Sequence, residues 1–76
     1  MFRLFTKRRQ KLFDIDGQEL KTGDKVMALR YDMGICTLLT TGKGWVYKSD
    51  ETGQEMSFAR MFDAYTKRQK VRKLEA

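Results

Sequence analysis

The sequence predicts a mostly β protein, a closed or nearly closed small barrel of five to six short antiparallel strands. Three observations predict it. From Leu20 onward the apolar residues alternate in short runs, each run ends in a Gly, Asp or Thr cluster, and the runs recur at spacings of about ten residues. Closure is expected because an open five-stranded sheet would leave strand edges exposed. With no proline in the 76 residues, glycine carries the punctuation. A chain of this size forms one domain, which buries only roughly 60% of the surface its unfolded form exposes. We divide it into a basic extension over 1–11, the barrel over 12–74 and a tail over 75–76.

The elements follow in order. Leu12 to Asp16 forms a short strand, ended by Asp16-Gly17, a dipeptide that tolerates the positive φ of a hairpin turn. Thr22-Gly23-Asp24 turns the chain. Lys25 to Tyr31 then puts Val26 and Ala28 on one face and Met27, Leu29 and Tyr31 on the other. After the Asp32-Met33-Gly34 turn, Ile35 to Thr41 is rich in β-branched residues, as strands are. Thr41-Gly42-Lys43-Gly44 turns into Trp45 to Lys48, where Trp45 and Tyr47 share a face. Asp50 to Gly53 is a further polar turn.

Residues 55 to 74 admit two readings. Phe58, Met61, Phe62 and Tyr65 fall at helical spacing with Ser57 as a cap, which predicts a helical turn near 61–65. The same stretch alternates as a strand, turns over Asp63 to Lys67, and resumes as a strand from Gln69 to Leu74. We take strand, turn, strand as the primary reading and the helical turn as the alternative.

Gly23-Asp24-Lys25-Val26, then Tyr31-Asp32-Met33-Gly34-Ile35, then an aromatic strand and a glycine-turned hairpin together resemble the small SH3-like barrels of the Tudor and KOW type. The resemblance covers roughly Leu20 to Phe58. Where many of those barrels carry Gly-x-Gly before the next strand, this chain has Asp32 in place of the first glycine. The resemblance implies a binding module that docks on nucleic acid, on ribosomes or polymerases, or on peptides. It brings no shared set of ligand residues.

Charge points the same way. The net charge is +6, and all of the excess sits at the ends. Residues 1 to 12 carry Arg3, Lys7, Arg8, Arg9 and Lys11 with no acid, and residues 66 to 76 carry Lys67, Arg68, Lys70, Arg72 and Lys73 against Glu75 alone. The residues between hold six cations against nine carboxylates. Clustered cations raise a local potential that scattered charge would not, so a polyanion is the expected partner. Arg8, Arg9, Lys67, Arg68, Lys70 and Arg72 are the expected phosphate contacts. In a compact domain the termini often lie close together, which would merge the two ends into one patch.

Tyr31, Trp45 and Tyr47 form the second candidate site. A barrel this small has one main inner face, and surplus aromatics would line a surface groove able to stack bases or hold a peptide, in the manner of an adaptor. The alternative is that Trp45 and one tyrosine are core, since large aromatics supply most of a small core's burial. A third reading puts Met1, Phe2, Leu4 and Phe5, beside their cations, on an anionic membrane surface.

The inventory for chemistry is poor. There is no histidine to serve as a neutral-pH base. Asp14-Ile15-Asp16-Gly17 is a fragment of a calcium loop without its further acidic ligands, and reads as a turn. Gly42-Lys43-Gly44 lacks the spacing of a phosphate loop. Cys36 stands alone, flanked by Ile35 and Thr37, and reads as a buried hydrophobe in a reducing compartment. No apolar run approaches the roughly 20 residues a bilayer span needs. The expectation is a cytoplasmic nucleic-acid or nucleoprotein binder, not an enzyme, with no metal, cofactor or small-molecule substrate.

Overall fold

The computed structural model describes residues 11–74. Nine strands and one 3-10 helix are present among them. In chain order they are β1 (Leu12–Phe13), β2 (Glu19–Leu20), β3 (Lys25–Ala28), β4 (Ile35–Thr41), β5 (Gly44–Ser49), β6 (Glu55–Ser57), the 3-10 helix (Phe58–Met61), β7 (Phe62–Asp63), β8 (Arg68–Gln69) and β9 (Val71–Lys73). Five of these make the main antiparallel sheet, in the order β6-β5-β4-β3-β9. β1 pairs with β2 and β7 with β8 in two small ladders.

Alternation builds the core. Val26 of β3, Cys36 and Leu38 of β4, Tyr47 of β5 and Val71 of β9 are fully buried on one side of the sheet. Leu12, Leu20, Met33 and Met61 pack against them from the flanking segments, with Trp45, Met56 and Phe58 partly buried at the margin. The β4–β5 hairpin is tight, with Thr41 opposite Gly44, because Gly44 takes φ +114, a conformation that suits glycine. Gly44 also leaves room for a ring. A Cβ there would lie 3.3 Å from Cε1 of Phe58, so the glycine holds Phe58 against the hairpin.

The barrel is not closed. β6 and β9 share no ladder, and the sheet ends at both. The reason lies in what meets β9. Its outer side is covered by the N-terminal segment, where the Ile15 N–H donates to the Val71 carbonyl at 2.9 Å and the Lys73 N–H donates to Asp14 Oδ2 at 2.8 Å. The edge is satisfied without β6, so closure is not needed to protect it.

The predicted helical turn at 61–65 is displaced. The helical residues are Phe58–Met61, and Ser57 precedes them without a side-chain capping bond. Met61 turns inward and Phe62 begins β7, so strand, turn, strand is the correct reading of the remainder, with a break at Lys70. The predicted strand from Leu12 stops at Phe13 because Asp14 bends the chain: the Gly17 N–H donates to the Asp14 carbonyl at 2.9 Å. β3 likewise ends at Ala28, and Tyr31 and Asp32 adopt φ +64 and +54 in the turn to β4.

Candidate functional site

Two short segments repeat one pattern. Leu12-Phe13-Asp14 and Met61-Phe62-Asp63 each run apolar, Phe, Asp, and in each the outer two residues are buried while the phenylalanine points out. Leu12 and Met61 belong to the core and both aspartates are held inward by hydrogen bonds, so the phenylalanine between them is left facing out. Phe13 is consequently 40% exposed and Phe62 44%. β1 packs beside β8, the partner of β7, so the two rings are brought to one surface. Phe58, fixed over Gly44, joins them. The three rings line a cleft of about 340 Å³.

Cations complete the cleft. Lys11, Lys67 and Arg68 line it, and no carboxylate does. Lys67 takes φ +64 at the end of the Asp63-to-Lys67 turn, closed by its N–H donating to the Asp63 carbonyl at 2.7 Å. Arg68 is braced from below. Its Nη1 donates to the Ile15 carbonyl at 3.2 Å, and its guanidinium lies over Gly17, 3.4 Å from where a Cβ would stand. Gly17 itself is at φ +85, so glycine serves both the turn and the arginine. A second concavity adjoins the first, sharing Phe13, Lys67 and Arg68 as walls. Among the described residues neither Lys67 nor Arg68 is in a salt bridge.

The other expected phosphate contacts are placed differently. Lys70 lies 3.9 Å from Asp63, and Arg72 donates through Nε to Asp16 at 2.8 Å. That hydrogen bond is the main cause raising the Arg72 pKa above its ordinary value. Both cations are partly offset by these acids. Arg8 and Arg9, with the rest of the extension up to residue 10 and the proposed membrane-facing aromatics in it, fall outside the described residues.

Tyr31, Trp45 and Tyr47 do not form one surface groove. Tyr47 is fully buried, and its hydroxyl donates to Gln69 Oε1 at 2.8 Å in the core. Trp45, on the same face of β5, packs against the core cluster. Tyr31 alone is well exposed, at 46%, in the β3–β4 turn, with its hydroxyl 3.4 Å from the Arg60 carbonyl. The physical reason is that Tyr47 stands opposite buried Leu38 on the sheet's inner face, which Trp45 shares, whereas Tyr31 sits at φ +64 in a turn beyond the end of β3. The repeated apolar-Phe-Asp pattern was the available sequence signal for Phe13 and Phe62. What it does not give is that β1 and β8 are neighbours.

Asp14 and Asp16, the fragment of a calcium loop, are engaged within the protein. Asp14 is buried and its two oxygens accept from the backbone N–H groups of Asp16, Gln18 and Lys73 at 3.0, 2.7 and 2.8 Å. Asp16 pairs with Arg72. No group of three metal-ligating side chains is present among the described residues. Gly42 and Lys43 form the tip of the β4–β5 hairpin.

Comparison of the chain with models of protein families, with curated proteins and with solved structures finds no match. Among the described residues no helix is long and apolar enough to cross a membrane. The class defined here is a small, mostly β domain with an aromatic cleft edged by cations.

Proposed function

We propose that this protein is a non-catalytic binding module, SH3-like in an open form, that contacts nucleic acid or a nucleoprotein through the surface where Lys11 stands beside Lys67 and Arg68. The SH3-like reading is supported by the strand order. β3 to β6 run as a meander, and β9 returns to lie beside β3 after the 3-10 helix.

One observation carries the functional reading. Lys11, the last cation of the N-terminal basic run, lines the same cleft as Lys67 and Arg68 of the C-terminal run. Segments more than fifty residues apart thus contribute like charge to one surface, which raises a positive local potential there and attracts an anion. The adaptor reading based on Tyr31, Trp45 and Tyr47 loses its groove with the burial of Tyr47.

The test is a titration of labelled oligonucleotides by fluorescence anisotropy over a range of salt. Affinity is expected to fall with log salt at a slope of about −0.7 per phosphate contacted on a single strand, or about −0.9 on a duplex. Lys67→Gln and Arg68→Gln are each expected to reduce the slope by about one contact. Absence of salt-dependent binding to every RNA and DNA tested would refute the reading.

A further inference from the structure

We propose that Phe13, Phe58 and Phe62 form a stacking platform, so that this surface takes unpaired nucleotides in preference to duplex. The inference rests on the nucleic-acid reading above and specifies its ligand. A surface that reads only phosphates needs cations and polar donors, and has no use for three phenylalanine rings among them. Here the rings converge from two segments, Phe13 from β1 and Phe58 and Phe62 from the 3-10 helix and β7 that follows it, on a cleft whose charged walls are Lys11, Lys67 and Arg68. Phe13 and Phe62 keep 40% and 44% of their surface in contact with solvent. A ligand that offers planar faces and negative charge in alternation matches both features, and a single-stranded polynucleotide does so at every residue. Duplex bases are stacked on one another and present only edges and phosphates to a protein.

Placement of the cations fits the same ligand. Lys67 and Arg68 stand between the main cleft and the adjoining concavity, which share Phe13 as a wall. A backbone passing over them would leave room for a base on either side. Arg68 is pre-positioned by the Ile15 carbonyl and by Gly17, so little side-chain freedom is lost when it meets a phosphate. Charge complementarity also selects against residues 1–10 of the chain itself as occupant, because they carry Arg3, Lys7, Arg8 and Arg9 with no acid, the same sign as the cleft.

The experiment uses the full chain with three probes of equal length: an oligothymidylate, the same strand with abasic sites in place of bases, and a duplex. The oligothymidylate is expected to bind tightest at a given salt. Phe13→Leu and Phe62→Leu keep apolar volume while removing the ring, and each is expected to weaken oligothymidylate binding by at least about fivefold, the lower end of what a stacked base contributes. The salt slope should stay as in the wild type, since no phosphate contact is lost. Equal affinity of wild-type protein for the abasic and the intact strand would overturn the proposal while leaving the nucleic-acid reading standing. That arm needs no variant, so it holds even if a substitution impairs folding. Tighter binding of a peptide rich in Glu and Phe than of the oligonucleotide would overturn it in favour of a protein partner. A dimer in sedimentation that Phe62→Leu dissolves would overturn it in favour of a second copy of the chain. Loss of salt-dependent binding to all three probes would instead refute the functional reading beneath it.

Discussion

Tyr47 and Gln69 meet in the core, the phenol of β5 donating to the side-chain oxygen of β8 at 2.8 Å. The bond ties the main sheet to the strand that presents Arg68. Burial, with lesser contributions from Cys36 and Asp14, raises the Tyr47 phenol above its ordinary pKa and keeps it a donor. Tyr47→Phe leaves the buried Gln69 oxygen without this donor, which costs about 1 to 3 kcal/mol. For a domain of this size that corresponds to roughly 4 to 8 °C in Tm per kcal/mol. Thermal unfolding followed by circular dichroism checks it. An unchanged Tm would mean that the bond contributes nothing.

Asp14 is the second fixed point. Its carboxylate gathers three backbone N–H groups, two from its own hairpin and one from Lys73, a residue 59 positions away. Asp14→Ala leaves those donors without their acceptor in a buried site, at about 1 to 3 kcal/mol for each that stays dry. The variant is expected to be among the least stable single substitutions in the chain. Asp14→Asn, which keeps one acceptor oxygen, should lose less. Urea midpoints rank the two, and equal values for both variants and wild type would contradict the role given to Asp14.

Acid should weaken the fold through two other aspartates. The Thr66 hydroxyl donates to Asp63 and is the chief cause holding that carboxyl below its ordinary pKa. Asp50 is lowered chiefly by the hydrogen bond from Lys25, then by that from Thr37. Because both folded pKa values lie below the unfolded ones, their contribution is present above the ordinary carboxylate pKa of about 3.9 and is lost as pH falls through the folded value. Urea midpoints should therefore drop below about pH 4 in the wild type, and less steeply in Asp50→Asn and Asp63→Asn. A wild-type midpoint that rises on acidification would contradict the assignment.

Cys36 is buried in the core, and burial pushes its thiol pKa up, with Asp50 adding to the effect. A thiol reagent is expected to label the native protein far more slowly than the urea-unfolded chain, since the thiolate is the reactive form. Labelling at equal rates would place Cys36 at the surface.

How far the sequence reveals this molecule varies with the distance over which each feature is decided. β4 is read to its bounds, Ile35 to Thr41, because β-branched residues and flanking glycine turns fix it locally. β5 is read to within a residue at each end. The 3-10 helix is misplaced by several residues because Phe58 and Phe62 satisfy both periods, and packing of Met61 into the core decides between them. Closure was expected from strand count, whereas the edge of β9 is covered by Asp14 and Ile15 from the other end of the chain. The cationic character of the site was legible in the charge distribution. Its aromatic partners were not, because the positions of Phe13, Phe58 and Phe62 depend on which strands are neighbours.

The most direct test of the account is the map of backbone amide shifts in nuclear magnetic resonance spectra as an unpaired oligothymidylate is added at low salt. The shifts are expected to concentrate on Lys11 to Phe13, Phe58 to Phe62 and Lys67 to Gln69, the segments that enclose the cleft. Shifts centred on Tyr31 and the β4–β5 hairpin, with the cleft residues unmoved, would contradict it.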